Sequence, residues 1–166
     1  AAALSGGTMR MTPPQSRRNP ADAFLVHIVD RDHPITRGMR EYVWTLMDDM
    51  YTNMHWDPAT PVRVLAAARD SAAAYDARVA GPKYPASAYG PDQLKAMPGI
   101  DQEHPQVWTA EYGQGRVLGF ALGHGPDTLQ YDGVQSLLIR GTEWVASGQV
   151  TVPLKDKAKA YLEESQ

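Results

Sequence analysis

The chain has 166 residues, 43% hydrophobic and 21% charged, with a formal charge of −3, the balance of an ordinary globular domain. It contains no cysteine, which excludes disulfides, thiolate metal centres, iron–sulfur clusters and a cysteine nucleophile. Its basic residues form no run interleaved with aromatics, and no apolar run approaches the roughly 20 residues that cross a bilayer, so neither nucleic-acid binding nor membrane insertion is expected.

Residues 1–23 read as a connector or arm. The first five residues, Ala-Ala-Ala-Leu-Ser, lack the charged and long apolar regions of a signal peptide. Gly6-Gly7 closes what looks like the tail of a helix, prolines 13, 14 and 20 punctuate the rest, and Arg17 and Arg18 are expected to be solvated. Residues 24–30 alternate, with Phe24, Val26 and Ile28 on one side and Leu25, His27 and Val29 on the other. Apolar groups on both sides predict a strand buried on both faces, with His27 a satisfied core histidine. A turn cluster follows, and Pro34 biases His33 towards an extended conformation at the strand exit.

The segment YVWTLMDDMY, residues 42–51, is a second extended candidate, interrupted by Asp48 and Asp49. Neighbouring strand positions point to opposite faces, so at most one of these acids can face a site. Residues 62–68 predict a short buried strand or a helix start. Residues 69–104 form a long loop rich in Ala, Tyr, Pro and Gly, with a brief helix over 92–97. Loops of that length inside a domain are usually functional, and Tyr75, Tyr84 and Tyr89 suggest a lid over a pocket.

Residues 105–148 carry the clearest pattern. A strand over 107–112, the turn Gly113-Gln114-Gly115 and a returning strand over 116–122 make a hairpin, with Arg116 expected to pair with Glu111 across it. The period then changes. Val134, Leu137, Leu138, Gly141, Trp144 and Val145 share one helical face, and Gly148 stands at the C-terminal cap position. Between hairpin and helix lies Leu122-Gly123-His124-Gly125-Pro126-Asp127, where glycines let the backbone turn sharply around a histidine. In open α/β sheets ligands bind at such strand ends. Residues 149–166 read as a charged C-terminal tail.

Three motifs occur in order: HPITRG around His33, DDMY at residues 48–51, and VWTAEYGQGRV, ALGH and LLIRGTEWVASG from Val107 onward. Over roughly residues 4–148 they resemble the ThuA-like family, the trehalose-utilisation proteins of the class I glutamine amidotransferase-like superfamily. The resemblance implies an α/β fold, a flavodoxin-like three-layer sandwich on a parallel sheet, with residues 24–148 as the C-terminal part of the domain. Its N-terminal half would be lacking, and a further N-terminal segment or another chain is expected to cover the sheet.

The resemblance also implies a link to carbohydrate metabolism and a sugar ligand. On it, His124, His33 and Asp49 are candidate catalytic residues, and Trp108, Tyr51, Arg116 and Asp48 candidate sugar-binding residues. Two positions depart from the family pattern: Gly125 replaces the acid of the GHD motif, and Asp49 replaces a glutamate. Amide transfer from glutamine is excluded, because His124 has no cysteine to serve. Two chemistries stay open, His124 as a general base, or His33, His124 and Asp49 as ligands of a divalent metal. Either way these groups are expected to converge on one concave region roofed by residues 69–104. Two classes of function follow, a carbohydrate-active enzyme of ThuA type and a non-catalytic structural or accessory subunit that retains the fold.

Overall fold

A computed structural model describes residues 6–9, 12, 14–19, 23–46, 48–75 and 90–155. Residues 1–5 of the expected helix tail, the lid tyrosines Tyr84 and Tyr89, and the tail from residue 156 lie outside the described residues, while Gly7, at the close of that expected helix, lies in a strand. The strands are β1 (Gly7–Thr8), β2 (Arg17–Arg18), β3 (Leu25–Ile28), β4 (Tyr42–Trp44), β5 (Tyr51–Thr52), β6 (His55–Trp56) and β7 (Val62–Arg69). Helix α1 (Pro91–Lys95), the hairpin β8 (Glu103–Tyr112) and β9 (Gly115–Phe120), and helix α2 (Asp132–Ser147) complete the order.

Five strands form one sheet in the order β4-β3-β7-β8-β9, and the short pairs β1–β6 and β2–β5 stand apart from it. Every one of these pairings is antiparallel, which corrects the expectation of a parallel sheet. For the hairpin the connection gives the reason. Parallel neighbours need a crossover of a dozen or more residues, usually a helix, whereas β8 and β9 are joined by a tight turn and α2 comes only after the last strand. Among the described residues the main sheet and α2 make two layers of the three expected.

The core lies between α2 and one face of the sheet. Val26 and Ile28 from β3, Leu65 and Ala66 from β7, and Val107 from β8 meet Val134 and Leu137 from α2, with Ile35, Met39 and Leu122 closing the ends. The helical stripe in the sequence thus has its partner, and Trp144 packs half-buried at its far end. Helix α2 stops where Gly148 takes φ +78° and donates its N–H to the Trp144 carbonyl at 2.8 Å, a conformation glycine adopts at little cost. Arg140 ties α2 to the turn after β3, donating to the carbonyls of Pro34 at 2.7 Å and Arg37 at 3.2 Å.

The opposite face is covered unevenly. Near β8 and β9 the Trp108 indole lies across Gly119, where any Cβ would collide with it, and Trp56 from β6 meets that ring edge-on at 5.1 Å. Near β3 and β4 no aromatic ring gives such cover among the described residues. Leu25 is 42% exposed, Tyr42 46% and Trp44 57%, with Leu25 opposite Trp44 and His27 opposite Tyr42. His27 is therefore half-buried rather than a core residue, stacked on Tyr42 at 4.9 Å and paired with Glu103 at 2.9 Å. Residues 24–30 bury one face, not two, because α2 covers only one.

Antiparallel order also sorts the strand ends. The ends of β4, β7 and β9 share one rim with the start of β8, and the ends of β3 and β8 share the other with the starts of β7 and β9.

Candidate functional site

His124 leaves the end of β9 in a turn that begins with Gly123 at φ +93°, a backbone state that would strain a residue with a side chain. Asp48 and Asp49 follow β4 and therefore reach the same rim. Asp48 is 0% exposed. Its carboxylate accepts the N–H groups of Gly123 at 2.7 Å, Gly125 at 3.1 Å and Asp49 at 3.0 Å.

Asp49 is 4% exposed. One of its oxygens accepts from Arg18 Nη1 at 2.9 Å and lies 3.5 Å from His124 Nε2, while Arg18 Nη1 stands 3.4 Å from the same ring nitrogen. Three segments distant in sequence thus converge on one buried carboxylate. Beside His124 opens a cavity of about 410 Å³, bordered by Thr8, Met9, Tyr51, Met54 and Trp108.

Arg18 arrives through the β2–β5 pairing, where it stands opposite Tyr51. Asn19 reinforces the join, exchanging hydrogen bonds with Met50 at 2.7 and 3.1 Å. Its neighbour Arg17 points elsewhere, pairing with buried Asp70 and donating to the Pro98 carbonyl at 2.7 Å. Tyr75 donates its hydroxyl to Asp70 at 3.1 Å. Burial pushes the Asp70 carboxyl up although Arg17 opposes it, and burial followed by the Asp70 charge pushes the Tyr75 phenol up to about 12. Arg18 is exposed, as expected, and Arg17 half-buried, and both fasten the arm. Nothing in the local sequence marks them, because the partners lie in β5 and beyond β7.

His33 does not join this site. It follows β3, whose end lies on the rim opposite the end of β9. The ring is 4% exposed, accepts the Ile35 N–H on Nδ1 at 3.2 Å and meets Trp144 edge-on at 5.1 Å. Burial, then the Arg63 cation, hold its imidazole below the usual range, with Asp30 opposing. A metal shared by His33 and His124 is therefore not assembled, and the described residues contain no group of three or more His, Cys, Asp or Glu placed to hold one.

The remaining candidates divide by rim. Tyr51 and Trp108 border the cavity beside His124. Arg116 stands at the start of β9, on the His33 rim. It is opposite Glu111 in register, yet its Nε donates to the Trp144 carbonyl at 3.0 Å and its guanidinium lies 5.8 Å over the Trp144 ring. It caps α2 rather than facing a sugar. Asp48 is likewise withdrawn from ligand contact, since its oxygens are buried and engaged. Of the loop expected as a lid, residues 76–89 lie outside the described residues, and its described tyrosine, Tyr75, is committed to Asp70.

A family model described as ThuA, trehalose utilisation, matches residues 2–145. The crystal structure of a ThuA-like protein from Parabacteroides merdae superimposes with a TM-score of 0.62 at 23% sequence identity, covering 92% of this chain and 52% of that one. The chain thus spans about half the length of that protein, and the likeness bears on fold alone. No curated protein matches the chain. No helix among the described residues is long and apolar enough to cross a membrane.

Proposed function

The chain belongs to the ThuA trehalose-utilisation family, and from that premise we propose that it acts on a sugar in the cavity beside His124. The observation that carries this is the buried Asp49 carboxylate shared by Arg18 and His124. His124 Nε2 lies between the Asp49 carboxylate at 3.5 Å and an Arg18 N–H at 3.4 Å; in the tautomer that carries its proton on Nε2, facing Asp49, Nδ1 has the lone pair that accepts a proton from a sugar hydroxyl or an acidified carbon. Arg18 neutralises Asp49 and presents its remaining N–H groups to an oxygen that gains negative charge during the transfer. Tyr51 and Trp108 supply apolar borders for a sugar ring. A divalent metal, if used, would have to rely on His124 and Asp49 without His33.

The test is a titration of isotopically labelled protein with trehalose and with glucose, followed at His124 and the Trp108 indole. Saturable shifts at millimolar sugar, weakened at least about tenfold (about 1.4 kcal/mol) in His124→Ala and Asp49→Ala, are the expected result. Sugars that leave both signals unmoved in folded protein would defeat the proposal.

The second reading, an accessory subunit without chemistry, is favoured by the exposed strip of Leu25, Tyr42 and Trp44, which suits contact with another polypeptide. It gains if sugars are silent and substitution of this strip, rather than of His124, impairs the protein's role in cells.

A further inference from the structure

We propose that Asp48 is the positioning residue of the site, one carboxylate that sets both where His124 stands and how far it lies from Asp49. The proposal rests on the reading of His124 and Asp49 given above, and it concerns a residue that touches neither the cavity nor a ligand.

Three hydrogen bonds carry it. Two of the N–H groups that Asp48 accepts belong to Gly123 and Gly125, the residues on either side of His124. The Gly125 N–H belongs to the peptide that leaves His124 and the Gly123 N–H to the peptide that enters Gly123, so the two bonds bracket the short turn on which His124 stands and limit where its side chain can aim. The third N–H belongs to Asp49 itself, so the same anion holds the backbone of both partners. Among the described residues Asp48 has no cationic partner. A buried carboxylate satisfied by backbone donors alone is an acceptor-only cradle, here for the turn entered through Gly123 at φ +93°.

A different contact makes the idea testable without unfolding the protein. The Thr128 hydroxyl donates to the Leu46 carbonyl at 2.8 Å, a second tie between the end of β4 and the segment after His124. With Asp48 altered, that tie still docks the segment, and the loss should be confined to the turn. Asparagine at position 48 keeps one acceptor oxygen and replaces the other with a donor, so the two glycine N–H groups can no longer both be satisfied.

The experiment compares wild type, Asp48→Asn and Thr128→Val without ligand, by amide exchange at Gly123 and Gly125 and by ring contacts of His124 with Arg18 in nuclear Overhauser spectra. In Asp48→Asn, exchange at one or both glycines should rise at least about tenfold and the His124–Arg18 contacts should fade, while signals of β8 and α2 stay in place. Thr128→Val should lower the melting temperature and leave the His124–Arg18 contacts present. If Asp48→Asn only lowers the melting temperature, with glycine exchange and His124 contacts as in wild type, Asp48 is a structural acid and the proposal fails. Because these readouts need no sugar, they separate the two ideas. Silent sugar titrations with a released turn would remove the function and keep the positioning role, whereas sugar shifts that persist unchanged in Asp48→Asn would do the reverse.

Discussion

Two side chains on the turn after β3 titrate in separate windows. The Arg63 hydrogen bond, with backbone donors adding to it, holds the Asp30 carboxyl below its usual value, so its contribution to stability is present above the unfolded pKa near 3.9 and disappears as pH falls through the lower folded value. His33 acts at higher pH. Its folded pKa is depressed by burial, so below about pH 6.5 the unfolded chain binds a proton that the native state refuses, and stability falls on acidification until the folded pKa is reached. Urea midpoints between pH 7 and pH 5 should therefore decline in wild type and decline less in His33→Gln. An unchanged slope in the variant would assign the loss to another group. The sequence placed His33 at a strand exit, which the structure bears out in position, but not which rim that exit faces. Rim is a property of strand direction, and a single strand carries no record of its neighbour's direction.

At the scale of elements, the parts legible in the sequence are those closed by nearby residues. The hairpin from Val107, the helix stripe and the Gly148 stop all depend on contacts within or between adjacent segments. Leu137→Ala, at the centre of the stripe with no exposure, should cost about 2–5 kcal/mol in chemical denaturation, and a loss under about 1 kcal/mol would place the helix face wrongly. Gly119→Ala tests the opposite face of the hairpin. The added methyl must displace the Trp108 ring, an overpacking that should cost about 1–3 kcal/mol and quench or shift Trp108 fluorescence. By contrast, β2, β5 and β6 are two residues each and exist only through distant pairings such as Arg18 with Tyr51. No periodicity fits in two residues, so nothing in the sequence marks the approach of the exposed Arg18 to His124.

For the molecule as a whole, the exposed outer strip of β3 and β4 is expected to govern association in solution. Strand β4 is an edge of the sheet and carries Tyr42 and Trp44 outward, the combination that promotes edge-to-edge or face-to-face association. Sedimentation velocity should show association that grows with concentration, and Trp44→Lys should reduce it. Wild-type protein that remains monodisperse across that range would show the strip to be harmless. The sense of the sheet was the largest feature the sequence did not reveal. The family resemblance implied parallel strands, while the antiparallel directions here follow from one tight turn, between β8 and β9, and otherwise from pairings between segments far apart in the chain.

The alternation of strand sense has a consequence for how the protein tolerates change. His33, Trp144 and Arg116 make up one rim and His124, Asp49 and Arg18 the other, with no hydrogen bond, ion pair or ring contact linking the two sets among the described residues. Substitutions that share no neighbour add, usually within about 0.3–0.5 kcal/mol. A thermodynamic cycle built from His33→Gln, His124→Ala and the double variant should therefore show no coupling energy beyond that margin, so the stability contributed by one rim and the chemistry proposed for the other would be free to evolve separately.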